Sequence, residues 1–187
     1  PTTQVWKKRF DEGAANGPQA AFWQTKPSEE LYDLHSDPDE VNNLAGSAAH
    51  REALLRMRRA LHKHMIDTRD VGILPECEVL ARSSDGIPLN MARDPKRYPL
   101  ERIVETAEMA SMRSKNDIPA LIERLKDSDS GVRYWAALGL QMQGAAAVKA
   151  GFTQLRTVLS DPSPAPRIAA FRSPNNASST PAAGAPA

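Results

Sequence analysis

The residue types best suited to chemistry gather at 22–27, where Phe22-Trp23-Gln24-Thr25-Lys26-Pro27 brings together two aromatic rings, an amide and an ammonium group. Indole faces stack on sugar rings, and an ammonium pairs with an anionic ester such as a sulfate. Trp23 and Lys26 are therefore the candidate substrate-proximal residues, for a ligand with a ring face and an anionic group. The same side chains also suit a core in which Phe22 and Trp23 are anchors and Lys26 is solvated. Elsewhere the candidates thin out. Cys77 is the single cysteine, which excludes an internal disulfide and leaves the redox compartment open. No partner base is identifiable that would make it a thiolate nucleophile, and a spectator thiol satisfies the same facts. His62 and His64 stand two apart, which on a helix points them about 200° apart, so they do not chelate one metal. No catalytic residue and no metal site is assigned.

The elements that must position Trp23 and Lys26 flank them on both sides. Val5, Trp6 and Phe10 among Lys7, Lys8 and Arg9 fit one side of a short helix ending before Gly13, and Pro18 after Gly17 suits the first turn of another. Downstream, Ser47 to Met65 is the clearest helix, with Ser47 as a candidate N-cap and Leu54, Met57, Leu61 and Met65 spaced three and four apart. Arg51, Arg56, Arg59 and Lys63 lie on its other face. Such a stripe steers anions or is simply solvated.

Between these helices lies the most informative run, Glu30-Leu-Tyr-Asp-Leu-His-Ser-Asp-Pro-Asp-Glu-Val-Asn-Asn-Leu-Ala45. Leu31 and Tyr32 are β-compatible, Ser36-Asp37-Pro38-Asp39 is turn chemistry, and Val41 with Leu44 begins an apolar face, so a strand, a turn and a helix start are expected. Asp37 and Asp39 serve the turn, and Glu40 favours a helix N-terminus. The pattern E-L-Y-D-L-x-x-D-P-x-E-x-x-N-L-A resembles the signature of the C-terminal subdomain of the sulfatases, enzymes of the alkaline-phosphatase-like superfamily that hydrolyse sulfate esters. The resemblance implies a small sheet packed against a catalytic domain that holds the reactive groups. It covers residues 5–65, and residues 66–171 are similar to the connector and helical extension of some bacterial sulfatases.

The 187 residues are 41% apolar and carry 24 basic against 23 acidic groups, a net charge of +1 that points to no nucleic-acid or membrane-surface partner. No apolar run approaches the roughly 20 residues needed to span a bilayer. Residues 67–98 are interrupted by Gly72, Pro75, Gly86, Pro88 and Pro95 yet rich in aliphatics, and read as an ordered connector. After Pro99 helical periodicity returns with Leu100, Ile103, Val104 and Ala107, then Ile118, Leu121, Ile122 and Leu125, then Val132 to Gln143. Leu125–Ala137 aligns with Leu159–Phe171, a repeat spaced by 34 residues that keeps an acidic turn and an Arg (Arg133, Arg167) at the start of the following helix. This frame resembles HEAT repeats, with Trp135 as a packing residue between neighbouring helices. Pro166 stands where the first frame has Val132, so the second frame is expected to be weakened. Residues 173–187, which include an Asn176-Ala-Ser178 glycosylation pattern, lack any large aliphatic residue and are expected to be disordered.

The expected architecture is thus mainly α with a small β element. Residues 1–66 form a partial sulfatase C-terminal subdomain of short sheet plus amphipathic helix, 67–98 a connector, 99–172 a HEAT-like region and 173–187 a tail. The family's C/S-x-P-x-R motif, whose Cys or Ser becomes formylglycine, is absent, since Cys77 is followed by Glu78-Val-Leu-Ala-Arg82. The start at Pro1 rather than Met, and a motif expected late in its parent protein, suggest a fragment. The chain is expected to be the C-terminal part of an exported sulfatase acting on sulfated polysaccharides, itself inactive. Calcium, formylglycine and a periplasmic or secreted location are what the resemblance implies for the missing catalytic domain. The alternative is a stand-alone helical-repeat interaction module without catalysis.

Overall fold

A computed structural model describes residues 2–171, so the tail at 173–187 and its glycosylation pattern lie outside the described residues. The described residues form eleven α-helices: α1 Thr2–Asp11, α2 Pro18–Ala21, α3 Arg51–Thr68, α4 Glu76–Arg82, α5 Pro88–Arg93, α6 Leu100–Met112, α7 Ile118–Arg124, α8 Ser130–Met142, α9 Ala145–Ala150, α10 Phe152–Val158 and α11 Pro164–Phe171. Three 3-10 turns, at Ala48–His50, Val71–Ile73 and Lys115–Asp117, complete the regular structure. None of these helices is long and apolar enough to cross a membrane. Two compact units meet in sequence between Ala60 and Leu61, within α3.

The expected small sheet is not there: among the described residues there is no strand. The reason lies in the hydrogen bonds of Leu31. A strand needs a second extended segment to take its row of N–H and C=O groups. Here the Leu31 N–H donates to the Asn43 Oδ1 at 3.0 Å and its carbonyl accepts the Leu44 N–H at 2.7 Å, after which no ladder continues. The helix expected from Val41 is absent too. Asp37, buried, accepts the N–H groups of Val41 and Asn42 at 3.2 and 2.8 Å, Glu40 takes a left-handed φ of 54°, and Val41 stays half exposed. The motif is a folded loop held by Asp33, Asp37 and Asn43, in which side-chain acceptors replace a ladder. Helical structure resumes only at Ala48, with Ser47 at the cap position and its hydroxyl 3.0 Å from the His50 Nδ1. On α3, Met57 and Leu61 of the expected apolar stripe are exposed, whereas Leu54 and Met65 are half-buried.

The second unit has a real core, divided into two clusters. Leu74, Met91, Tyr98, Leu100, Ile103, Val104 and Val132 form one, and Ala110, Leu121, Leu125, Ala136, Leu140, Leu155, Val158 and Ala169 belong to the other. Trp135 packs against both. Helices α6 and α8 approach closely because Gly139 carries no side chain: a Cβ there would lie 2.8 Å from that of Ala110. Tyr98 is wholly buried, and its hydroxyl donates to the Asp70 carbonyl. Burial, with Asp70 nearby, pushes its phenol well above the usual range.

The two frames of the sequence repeat have matching turns. Asp127 Oδ1 accepts the N–H of Asp129, and Asp161 Oδ1 accepts the N–H of Ser163, at 2.8 and 2.9 Å. Arg133 donates to the Asp127 carbonyl at 2.7 Å, as Arg167 does to the Asp161 carbonyl at 2.9 Å. Pro166 falls within the first turn of α11, where a helix N–H has no intrahelical acceptor, so its missing donor costs nothing there.

The turns are also joined. Arg133 Nε and Nη2 grip the Asp161 carboxylate at 2.6 and 2.8 Å. Burial pushes the Asp161 carboxyl up, but the bonds from Arg133 and the Ser163 N–H prevail and hold it below the usual carboxylate range. A depressed carboxylate stabilises fully above its unfolded value, near pH 4, and the contribution is lost as pH falls through the lower folded value. Asp161→Asn is therefore expected to destabilise the chain at pH 7, with a deficit that shrinks as pH falls below about 4, as checked by urea unfolding across that range. A deficit unchanged by acid would mean that the pair is not the source.

Candidate functional site

Trp23 and Lys26 are brought together through Phe22. In the first unit α1 and α2 lie side by side, tied by the Trp6 Nε1–H donating to the Gln19 carbonyl at 2.8 Å. Their aromatic residues form one cluster. Phe22 and Trp23 meet edge to face at 4.9 Å between ring centroids, Trp6 lies 4.9 Å from Phe22 and 5.4 Å from Trp23, and Phe10 lies 6.4 Å from Trp23. Two ammonium groups rest on this cluster, Lys26 over Phe22 and Lys7 over Phe10 and Trp23, each 5.5 Å from the ring centroid. Lys7 also pairs with Asp11 one turn on. The Trp23 indole N–H is buried and has no acceptor.

This patch sits on a unit with almost no core. Among residues 2–60 only Ala20, Leu31 and Asp37 are buried, while Phe22 is 53% exposed, Val5 61% and Leu34 61%. The first unit thus exposes large apolar side chains over very few buried ones. The motif loop is fixed to α3 by a two-pronged ion pair, with Arg58 Nε and Nη2 donating to the Glu29 carboxylate at 2.7 and 2.5 Å. Nearby, the Ser36 hydroxyl and the His35 N–H hold the Asp33 carboxyl below its ordinary range.

Over 87 residues, 46% of the chain, the sequence is 33% identical to the ulvan-active sulfatase of Formosa agariphila. Over that stretch the chain is related to a sulfatase. The matched stretch is 15% of that protein's length. No family model matches the chain, and no solved structure matches it either.

The densest polar cluster lies in the second unit, around the residue after Cys77. Glu78, only 3% exposed, accepts from Arg82 and from the hydroxyls of Ser130 and Ser163. Arg82 also donates to both oxygens of Asp129 at 2.7 and 2.9 Å, and Asp129 caps α8 by accepting the Gly131 and Val132 N–H groups. Burial works against the Arg82 charge, and the bonds from Asp129 and Glu78 more than compensate, raising its guanidinium above the ordinary value. Every group in this cluster is engaged by another, which makes it a brace between α4, α8 and α11.

Glu78 and Arg82 are one helical turn apart, but their links to Asp129 and Ser163 span 47 and 85 positions and do not show in the sequence. Cys77 itself is half-buried on α4. Among the described residues no three His, Cys, Asp or Glu side chains gather as a metal-holding group.

Proposed function

We propose that this chain is the C-terminal part of a sulfatase, an enzyme that hydrolyses sulfate esters, and that its substrate is a sulfated polysaccharide. The observation that carries the reading is the sequence relation to the ulvan-active sulfatase, with the motif at residues 30–45 as its local counterpart. In this reading the reactive groups, a formylglycine and calcium, belong to a catalytic domain outside these residues, and the activity lies in the exported enzyme. The first unit meets that domain through its exposed aromatic patch, with Trp23 and Lys26 as the pair nearest the sulfated sugar. The scarcity of buried residues among 2–60 supports a covering partner.

Purified on its own, the chain is expected not to hydrolyse an aryl sulfate with calcium present, since in this reading the nucleophile and the metal ligands belong to the catalytic domain. Turnover abolished by a substitution within residues 2–171 would overturn the proposal. The reading frame upstream is expected to encode a Cys/Ser-x-Pro-x-Arg motif. A start codon directly before Pro1 would instead favour a free-standing repeat module.

A further inference from the structure

The two arginines of the repeat are alike on one edge and different on the other. Arg133 uses Nη1 for its own turn and offers Nε and Nη2 as a fork that takes the Asp161 carboxylate of the following turn. Arg167 makes the same turn contact through Nη1. Among the described residues, no carboxylate pairs with the rest of its guanidinium. Around Arg167 the outer face of α11 is apolar, with Ile168 55% exposed and Phe171 71% exposed. Positions 167, 168 and 171 fall within about 100° of one another on a helix, so the fork and the two apolar side chains share one face.

We propose that this face docks an acidic protein segment, with Arg167 as a bidentate carboxylate anchor and Ile168 and Phe171 as its apolar contacts. Charge decides between occupants. From Gly144 to Phe171 the only acidic residue is Asp161, buried and already held by Arg133, against Lys149, Arg156 and Arg167. A second copy using the same face would set basic surfaces against each other. Residues 172–187 contain neither Asp nor Glu and no large aliphatic side chain, so they offer no side-chain carboxylate for the fork. An acidic segment with apolar side chains satisfies both parts of the face. The proposal is independent of the sulfatase reading.

The test uses the full chain and a fluorescent synthetic peptide with a Leu-Ser-Asp-Pro-Ser-Pro turn followed by an amphipathic helix of leucine, alanine and glutamate. Anisotropy is expected to show saturable binding that weakens at least about tenfold in Arg167→Ala. Arg167→Lys, which keeps the charge and loses the fork, is expected to weaken it as well. Arg156→Ala, an exposed cation elsewhere, leaves it unchanged, and circular dichroism checks that each variant is folded. Absence of binding up to about 1 mM peptide, or equal binding by Arg167→Ala, overturns the proposal. So does a concentration-dependent dimer, by sedimentation, that Arg167→Ala abolishes, because the occupant would then be a second copy.

Discussion

Replacing Arg82 with alanine is expected to cost the second unit about 3–5 kcal/mol, because it leaves a buried carboxylate and a largely covered one without their cation. The Arg82 side chain is 11% exposed, and those of Glu78 and Asp129 are 3% and 12% exposed. Its guanidinium also donates to the Arg97 carbonyl and the Ser130 hydroxyl, each at 2.9 Å, so alanine empties acceptors on three elements at once. The loss should reach the cap of α8, since Asp129 can no longer be held where it accepts the Gly131 and Val132 N–H groups. Urea unfolding measures the total. Pairing the change with Glu78→Gln tests the cause: the double variant should fall well short of the summed single costs, as groups in one network do. A loss below about 1 kcal/mol would mean that water replaces the cation freely and that the brace is ornamental.

That brace marks where sequence reasoning stops. Helices α6, α7 and α8 are legible because large apolar residues recur at helical spacing, and the Arg-bearing turns are legible because they occur twice. In the cluster of Glu78, Arg82, Asp129 and Ser163 only the Glu78–Arg82 pair is local, and it reads as an ordinary pair on a helix surface; the links to Asp129 and Ser163 have no local signature. Helix α9 is missed for a different reason. Ala145-Ala-Ala-Val-Lys-Ala150 has no periodic large side chain, and its Ala147 and Val148 are buried by the packing of its neighbours rather than by a pattern of their own.

The sheet is the instructive error. Leu31 and Tyr32 have the residue types of a strand, and strand propensity describes how well a side chain fits a pleated, half-buried surface supplied by others. With no second strand among the described residues, Asn43 takes the N–H that a neighbouring carbonyl would have taken. Its amide N–H donates in turn to the Glu29 carbonyl at 3.0 Å, which closes the loop on itself. The aromatic patch is legible only in part. Phe22, Trp23 and Lys26 adjoin in sequence, but Trp6, Lys7 and Phe10 join them only because α1 lies beside α2.

Trp135→Ala is expected to cost about 3–5 kcal/mol, with its effect spread more widely than a contact between repeat helices would allow. The indole touches both core clusters, stacks edge to face on Tyr134 at 5.5 Å, and donates its N–H to the Ile73 carbonyl at 2.8 Å. Ile73 belongs to the connector, 62 residues away. Removal of the indole therefore opens a cavity where the two clusters meet and leaves a carbonyl of the connector without its donor. Amide exchange is expected to show protection falling together in residues 71–79 and in α7 and α8. Trp135→Phe separates the two contributions, since it keeps most of the apolar bulk and loses about 1 kcal/mol with the hydrogen bond. If protection fell in α7 and α8 while residues 71–79 kept theirs, Trp135 would be a packing residue of the repeat alone, and the connector would be held by Tyr98 and the Arg82 brace without it.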